Sequence, residues 1–209
     1  MLFIILDRGK LCRMKKEYTI RSIKLSEFKD IYNRIEHDFA PGEYAPSNIL
    51  YQQLQDGVQK GLILLEGERE VAYSICAEGC TNDYVLISLL AVFKELRGSG
   101  FGSTFLEKLK NIYSDKNGII VEVEKPENAT TNKEKTIREK RIQFYQKVGF
   151  YLLSDIDYSI WDVPMHLMAQ PLKASRQVIS EEIGQTIFEI YLELMGEQFI
   201  HKMKFMKLK

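Results

Sequence analysis

A chain of 209 residues has room for one sizeable core, or for a core with an appendage. Its 45% hydrophobic and 28% charged residues are the mix of a soluble globular protein. Basic and acidic residues number 29 each, which argues against a bulk nucleic-acid binder with its usual basic excess. No apolar run approaches the ~18–20 residues of a membrane span, and the opening Met1-Leu2-Phe3-Ile4-Ile5-Leu6 meets Asp7 too soon for a signal peptide. Cys12, Cys76 and Cys80 form neither a disulfide framework nor a paired zinc site, so reduced thiols and a cytoplasmic location are expected. His37, His166 and His201 show no ligand spacing, and no metal site is expected.

Residues 1–16 do not read as part of a domain, and Met14-Lys15-Lys16 reads as a start just ahead of the first strand. The alternative is a strand added to the sheet. Tyr18 to Ile23 is a short strand. A helix capped by Ser26 follows, with Phe28, Ile31, Tyr32, Ile35 and Phe39 on one face and Pro41-Gly42 as its stop. The linker after it carries Glu36, Asp38, Glu43 and Tyr44. Pro46-Ser47 restarts a helix with Leu50, Leu54 and Val58 at four-residue steps, ended by Gly61. Leu62 to Glu66 and Glu70 to Ala77 are strands joined at Gly67-Glu68, and a third strand follows on a short loop. Three strands on short loops make an antiparallel meander.

That third strand, Tyr84 to Val92, is apolar enough to be buried on both faces. After Phe93-Lys94-Glu95-Leu96 comes Arg97-Gly98-Ser99-Gly100-Phe101-Gly102, then a helix with Phe101, Phe105, Leu109 and Ile112 on one face. Glycines let a backbone approach a ligand closely. The first helical turn offers unpaired amides and the positive dipole end, which suit a phosphate. Arg97 adds a guanidinium fork. Three phosphate cradles compete. A P-loop fails because no Gly-Lys-Ser/Thr is present. The dinucleotide fingerprint needs Gly or Ala where Ser103 stands, although Glu122 and Glu124 lie near the distance of a ribose-binding acid. The third pattern, Arg/Gln-x-x-Gly-x-Gly/Ala, is met by Arg97, Gly100 and Gly102. After the Leu90-Ala91-Val92 strand end, it resembles the acyl-CoA loop of the GNAT superfamily of N-acetyltransferases. The bland alternative is a glycine-rich turn with a solvated arginine.

Asn117-Gly118 leads into Ile119 to Glu124, a strand reached through a helix and so parallel to the last. Period two sets Glu122 and Glu124 on one face and Val121 and Val123 on the other. Lys125 to Lys135 reads as a polar loop. The next helix carries Ile137, Arg141, Phe144, Tyr145 and Val148, is capped by Gly149, and Phe150 opens a strand. Its end, Phe144-Tyr145-Gln146-Lys147-Val148-Gly149-Phe150, is similar to the Phe/Leu-Tyr-x-x-x-Gly-Phe phrase common in the same superfamily. Val178 to Met203 reads as a long helix started by Ser180, with Lys202, Lys204, Lys207 and Lys209 near its end. That helix would pack on the domain or form a homodimer.

The resemblance implies a GNAT-like α+β fold over 17–172, a mostly antiparallel sheet flanked by helices, with an extra C-terminal helix in 173–209. It implies acetyl transfer from acetyl-CoA to a primary amine in a ternary complex, with a small-molecule or peptide acceptor. Backbone groups around Leu90, Ala91 and Val92 would hold the pantetheine arm. Amides of Arg97, Gly98, Ser99, Gly100, Phe101, Gly102 and Ser103 would hold the diphosphate. Tyr145 would protonate the leaving thiolate, and Glu122 or Glu124 would take the amine proton. Two exposed strand carboxylates are the alternative for that pair. A non-catalytic acyl-CoA-binding module is the alternative function.

Overall fold

The computed structural model describes residues 17–79 and 83–208. The expected extension 1–16, with Cys12 and Met14, lies outside them, as do Cys80 and Lys209. The strands are β1 (Tyr18–Ser22), β2 (Gln59–Glu66), β3 (Arg69–Glu78), β4 (Tyr84–Val92), β5 (Gly118–Glu124), β6 (Tyr151–Leu152), β7 (Ile156–Ile160), β8 (Val163–Pro171) and β9 (Met203–Lys207). The helices are α1 (Phe28–Asp38), α2 (Ser47–Gln55), α3 (Phe101–Ile112), α4 (Asn132–Lys147) and α5 (Arg176–Met195). The strands form one sheet in the order β1-β2-β3-β4-β5-β8-β7-β9, with β6 beside β8. Every pairing is antiparallel except β4 with β5, which α3 connects.

Period-two alternation splits the buried side chains between the two faces. Val85, Ile87, Ile119, Val121 and Val123 point to the face covered by α3 and α4, where Phe105, Leu106, Leu109 and Tyr145 meet them. On the other face, Ile63, Tyr73, Ile75, Leu89 and Ala91 pack under α1 and α2. Beside them, Leu86, Ile120, Leu167 and Ala169 pack under α5, through Ile179, Ile183, Ile187 and Ile190. The helix face expected at 112 is instead closed by Leu106 and Tyr113, and Ile112 is exposed.

Several expected boundaries shift, each for a local reason. Ser26 does not cap α1: the chain enters through a 3-10 turn, where the Lys24 N–H donates to the Glu27 carboxylate at 2.8 Å. Gly57, at φ +76°, takes the left-handed position after α2, and Gly61 lies inside β2. The polar stretch 125–135 is a 3-10 turn followed by the start of α4, whose N-cap Thr131 accepts from the Glu134 N–H. Ser175, not Ser180, caps α5. The tail helix stops at Met195, before Gly196 at φ +73°. Beyond it, Met203 to Lys207 pair with β7 as an edge strand, so the basic residues there do not sit at a helix terminus. The single strand expected after Phe150 is three, with β7 and β8 joined by Trp161 and Asp162.

The turn after α4 is closed by bonds from the Phe150 N–H to the Tyr145 carbonyl and from the Gly149 N–H to the Gln146 carbonyl, both 3.0 Å. This double closure is the Schellman arrangement. Gly149 has φ +101°, and a Cβ there would lie 2.5 Å from Gln170 Oε1. We expect Gly149→Ala to cost about 1–3 kcal/mol, a Tm fall of roughly 2–10 °C in thermal unfolding. An unchanged Tm would contradict this account of the turn.

Candidate active site

The site begins where β4 and β5 stop pairing. Their parallel ladder runs from Tyr84 with Gly118 to Ile87 with Val121 and goes no further. Beyond it, β4 pairs only with β3, and β5 pairs only with β8. At that point β4 carries a bulge, since Cys76 faces Ile87 while Ile75 faces Leu89, leaving Ser88 as the extra residue. The Ser88 hydroxyl is buried and has no hydrogen-bond partner among the described residues. From Ser88 to Val92 one edge of the β4 backbone is therefore free of a neighbouring strand.

This free edge leads to a groove of about 320 Å³. One wall is Leu90 and Val92, the next is Arg97, Gly98, Gly100, Phe101, Gly102 and Ser103, and the third is Arg141, Phe144 and Tyr145 of α4. Gly98 and Gly100 have φ of +82° and +86°, and a Cβ at either would meet nothing within 4 Å. The glycines therefore serve the turn's conformation and leave open space above it. No side chain caps α3, so the amides of its first turn have no intrahelical acceptor and face the groove end. Gly102 sits under Phe144, where a Cβ would come within 3.1 Å of the ring.

The site residues expected from sequence divide into two groups. Leu90, Val92, Arg97, Gly98, Gly100, Phe101, Gly102, Ser103 and Tyr145 come together on the groove. Ala91 points to the opposite face, under α1 and α2, and Ser99, Glu122 and Glu124 do not line it. Arg97 lines the groove with two of its guanidinium nitrogens engaged by the fold. Its Nε donates to the Val92 carbonyl at 3.1 Å, and its Nη2 pairs with Asp38. Asp38 also accepts from the Tyr73 hydroxyl at 3.1 Å. That acid, expected in the linker but placed at the end of α1, is thereby occupied.

Tyr145 is buried between Phe144 and Phe150, with ring centroids 5.2 and 5.3 Å away. Burial pushes its phenol up to about 12, with Arg141 opposing the rise. The phenol is therefore protonated at neutral pH. The two carboxylates of β5 have unlike surroundings. Glu124 is held by Arg138 at 2.7 Å and Arg141 at 3.2 Å. Glu122 accepts from the hydroxyls of Tyr158 on β7 and Tyr191 on α5, the latter at 2.7 Å. Close packing around its carboxyl raises its pKa above the ordinary carboxylate value, and the two hydroxyls offset part of that rise. The side chain keeps some accessible surface. Arg141 and Phe144 were legible as helix residues but not as groove walls, because only the crossing of α4 over β4 brings them there. Among the described residues no cluster of His, Cys, Asp and Glu could hold a metal ion, and no helix is long and apolar enough to cross a membrane.

No protein-family model matches the sequence, and comparison with curated protein sequences gives no match. Solved structures are similar in fold. A protein described as a GNAT-family acetyltransferase from Bacteroides thetaiotaomicron has a TM-score of 0.68 at 22% identity, over 85% of this chain and 98% of its own. The ribosomal-protein-S18-alanine N-acetyltransferase of Escherichia coli has a TM-score of 0.54 at 19% identity, over 76% of this chain and 96% of its own. A dodecameric spermidine N-acetyltransferase of Vibrio cholerae has 0.56 at 12%, over 74% and 94%. By these similarities, this chain has the fold of the GNAT N-acetyltransferases.

Proposed function

We propose that this chain is an acetyl-CoA-dependent N-acetyltransferase acting on a primary amine by direct transfer in a ternary complex. The observation that carries the reading is the free β4 edge running into an uncapped, glycine-rich helix start with Tyr145 beside it. That arrangement fits an acyl-CoA part by part. The amides of the first α3 turn suit its diphosphate. The unpaired β4 backbone near Leu90 suits the amide groups of its pantetheine arm, the Val92 carbonyl being already taken by Arg97. Bound there, acetyl-CoA supplies an activated thioester.

The chain's own residues supply the rest. Tyr145 is protonated, and its hydroxyl has no hydrogen-bond partner among the described residues, so its proton is available to the departing sulfur. Glu122 is the better base of the β5 pair, because Glu124 is already claimed by two guanidiniums while burial has raised the proton affinity of Glu122. A base with a raised pKa takes an ammonium proton more readily. The acceptor class is an amine. Two of the neighbours are named for a polyamine and for an alanine of a ribosomal protein, which spans small-molecule and peptide acceptors.

Gly100→Asp places bulk and negative charge at the open helix start. It is expected to abolish CoA binding in calorimetry while the protein stays folded, and unchanged affinity would remove the cradle. In a thermal-shift comparison, CoA but not NAD or ATP should raise the Tm. Tyr145→Phe should lower turnover on an established amine by about 10²-fold, the low end of general-acid effects, with CoA affinity kept. A loss below about tenfold would leave Tyr145 a packing role. No turnover by the wild type over a panel of amines, with CoA bound, would favour a non-catalytic acyl-CoA module.

Glu122 gives a pH test. Its folded pKa lies above its unfolded one, so its stabilising contribution is present below the unfolded value, ~4.3, and is lost as pH rises through the folded value. Glu122→Gln should therefore gain stability relative to wild type on going from acid to neutral pH. A pH-independent difference would contradict the assigned environment.

A further inference from the structure

Two guanidiniums line the groove, and the fold engages them to different extents. Arg97 is tied to Val92 and Asp38. Arg141, one turn before Tyr145 on α4, makes a single bond, from Nη1 to Glu124 Oε2 at 3.2 Å. Its remaining N–H groups have no acceptor among the described residues, and its side chain is 41% exposed. Its neighbours on the groove wall are apolar, Leu90, Val92 and Phe144.

A cation on such a wall needs something to hold it. The holder is Glu124, whose other oxygen takes Arg138 at 2.7 Å. Arg138 is fixed in turn by the Lys125 carbonyl at 3.0 Å and is mostly buried. One carboxylate thus faces two guanidiniums. The next acid, Glu134, stands 3.9 Å from Arg138 and already accepts from the Thr130 amide and hydroxyl, at 2.9 and 2.8 Å. Glu134 thus answers Arg138 away from the groove, and Arg141, which meets only one oxygen of Glu124, keeps its outward N–H groups on the groove side.

We propose that Arg141, aimed by the Glu124–Arg138 pair, is a phosphate-binding residue of this groove, gripping the anionic half of a CoA thioester from the α4 wall while the α3 amides grip it from the glycine turn. The inference rests on the acyl-CoA reading of the groove. A guanidinium offers a planar fork of donors to phosphate oxygens, and such charge-assisted bonds are among the stronger ones. Arg141 therefore acts in binding, and Tyr145, its neighbour along the helix, acts in chemistry.

Calorimetric titration of CoA and of 3′-dephospho-CoA into wild type, Arg141→Met and Arg141→Lys tests this. Methionine keeps the alkyl packing and removes the charge. CoA affinity should fall about tenfold in Arg141→Met and less in Arg141→Lys, with Tm unchanged and with a weaker dependence of affinity on salt than in wild type. If the Arg141→Met loss persists with 3′-dephospho-CoA, the contact is to the diphosphate; if it disappears, the contact is to the 3′-phosphate. Affinity for CoA equal to wild type in Arg141→Met would overturn the proposal. So would a loss that leaves the salt dependence unaltered, which would mark a packing role. Wild type that binds no CoA would instead overturn the acyl-CoA reading itself.

Discussion

The parting of β4 from β5 is the constraint on which the rest of the site depends. Backbone N–H and C=O groups in a sheet must find partners, and a parallel ladder that stops midway leaves a row of them unmet. The chain meets this in three ways. The bulge at Ser88 turns the β4 backbone at the parting point. Arg97 reaches back to the Val92 carbonyl at the far end. Between them, the groove leaves room for a ligand that can itself hydrogen-bond like a strand. The positions of the glycine turn and of α4 follow, since both must fit around that opening.

Arg97 shows how a correct motif can carry a different physical role. Its spacing from Gly100 and Gly102 was recognisable, but a guanidinium reaches as readily backward as forward. Here it links the loop to the end of α1 through Asp38, which Tyr73 also holds. The arginine thus fixes the loop between sheet and helix. Asp38, expected in the linker after α1, is instead the last residue of that helix and belongs to this latch. Glu43, in the linker itself, accepts from the Ala40 N–H at 2.8 Å.

Legibility followed the range of the interactions. From Tyr84 to Lys110 strand, turn and helix were all readable, because apolar runs, positive-φ glycines and helical spacing are local signals. The Tyr-x-x-x-Gly-Phe phrase was readable for the same reason: Gly149 closes the turn within six residues. After Phe150 the local signals failed. The β7–β8 turn is made by Trp161 and Asp162, both at positive φ and neither a glycine, so nothing in the sequence announced a hairpin. Lys204 pairs with Asp162 from β9, a partner on the far side of α5 in sequence. The alternating Met, Lys and Phe from Met203 onward begin where the expected helix was to end, and their strand character exists only beside β7.

The same contrast explains the β5 carboxylates. Period two put Glu122 and Glu124 on one face, and that much is geometry along one strand. What separates them is what approaches from elsewhere. Glu124, near the strand's end, meets α4 and its arginines. Two residues earlier, Glu122 meets β7 and α5, whose tyrosines arrive from 36 and 69 positions along the chain. The apolar stripe of α5 fixes where Tyr191 stands once Ile187 and Ile190 are buried. An appended helix that packs for hydrophobic reasons thereby delivers a hydroxyl to a buried carboxylate beside the parted strands. The C-terminal segment is in this way tied to β5 by a hydrogen bond that no periodicity in either segment could have disclosed.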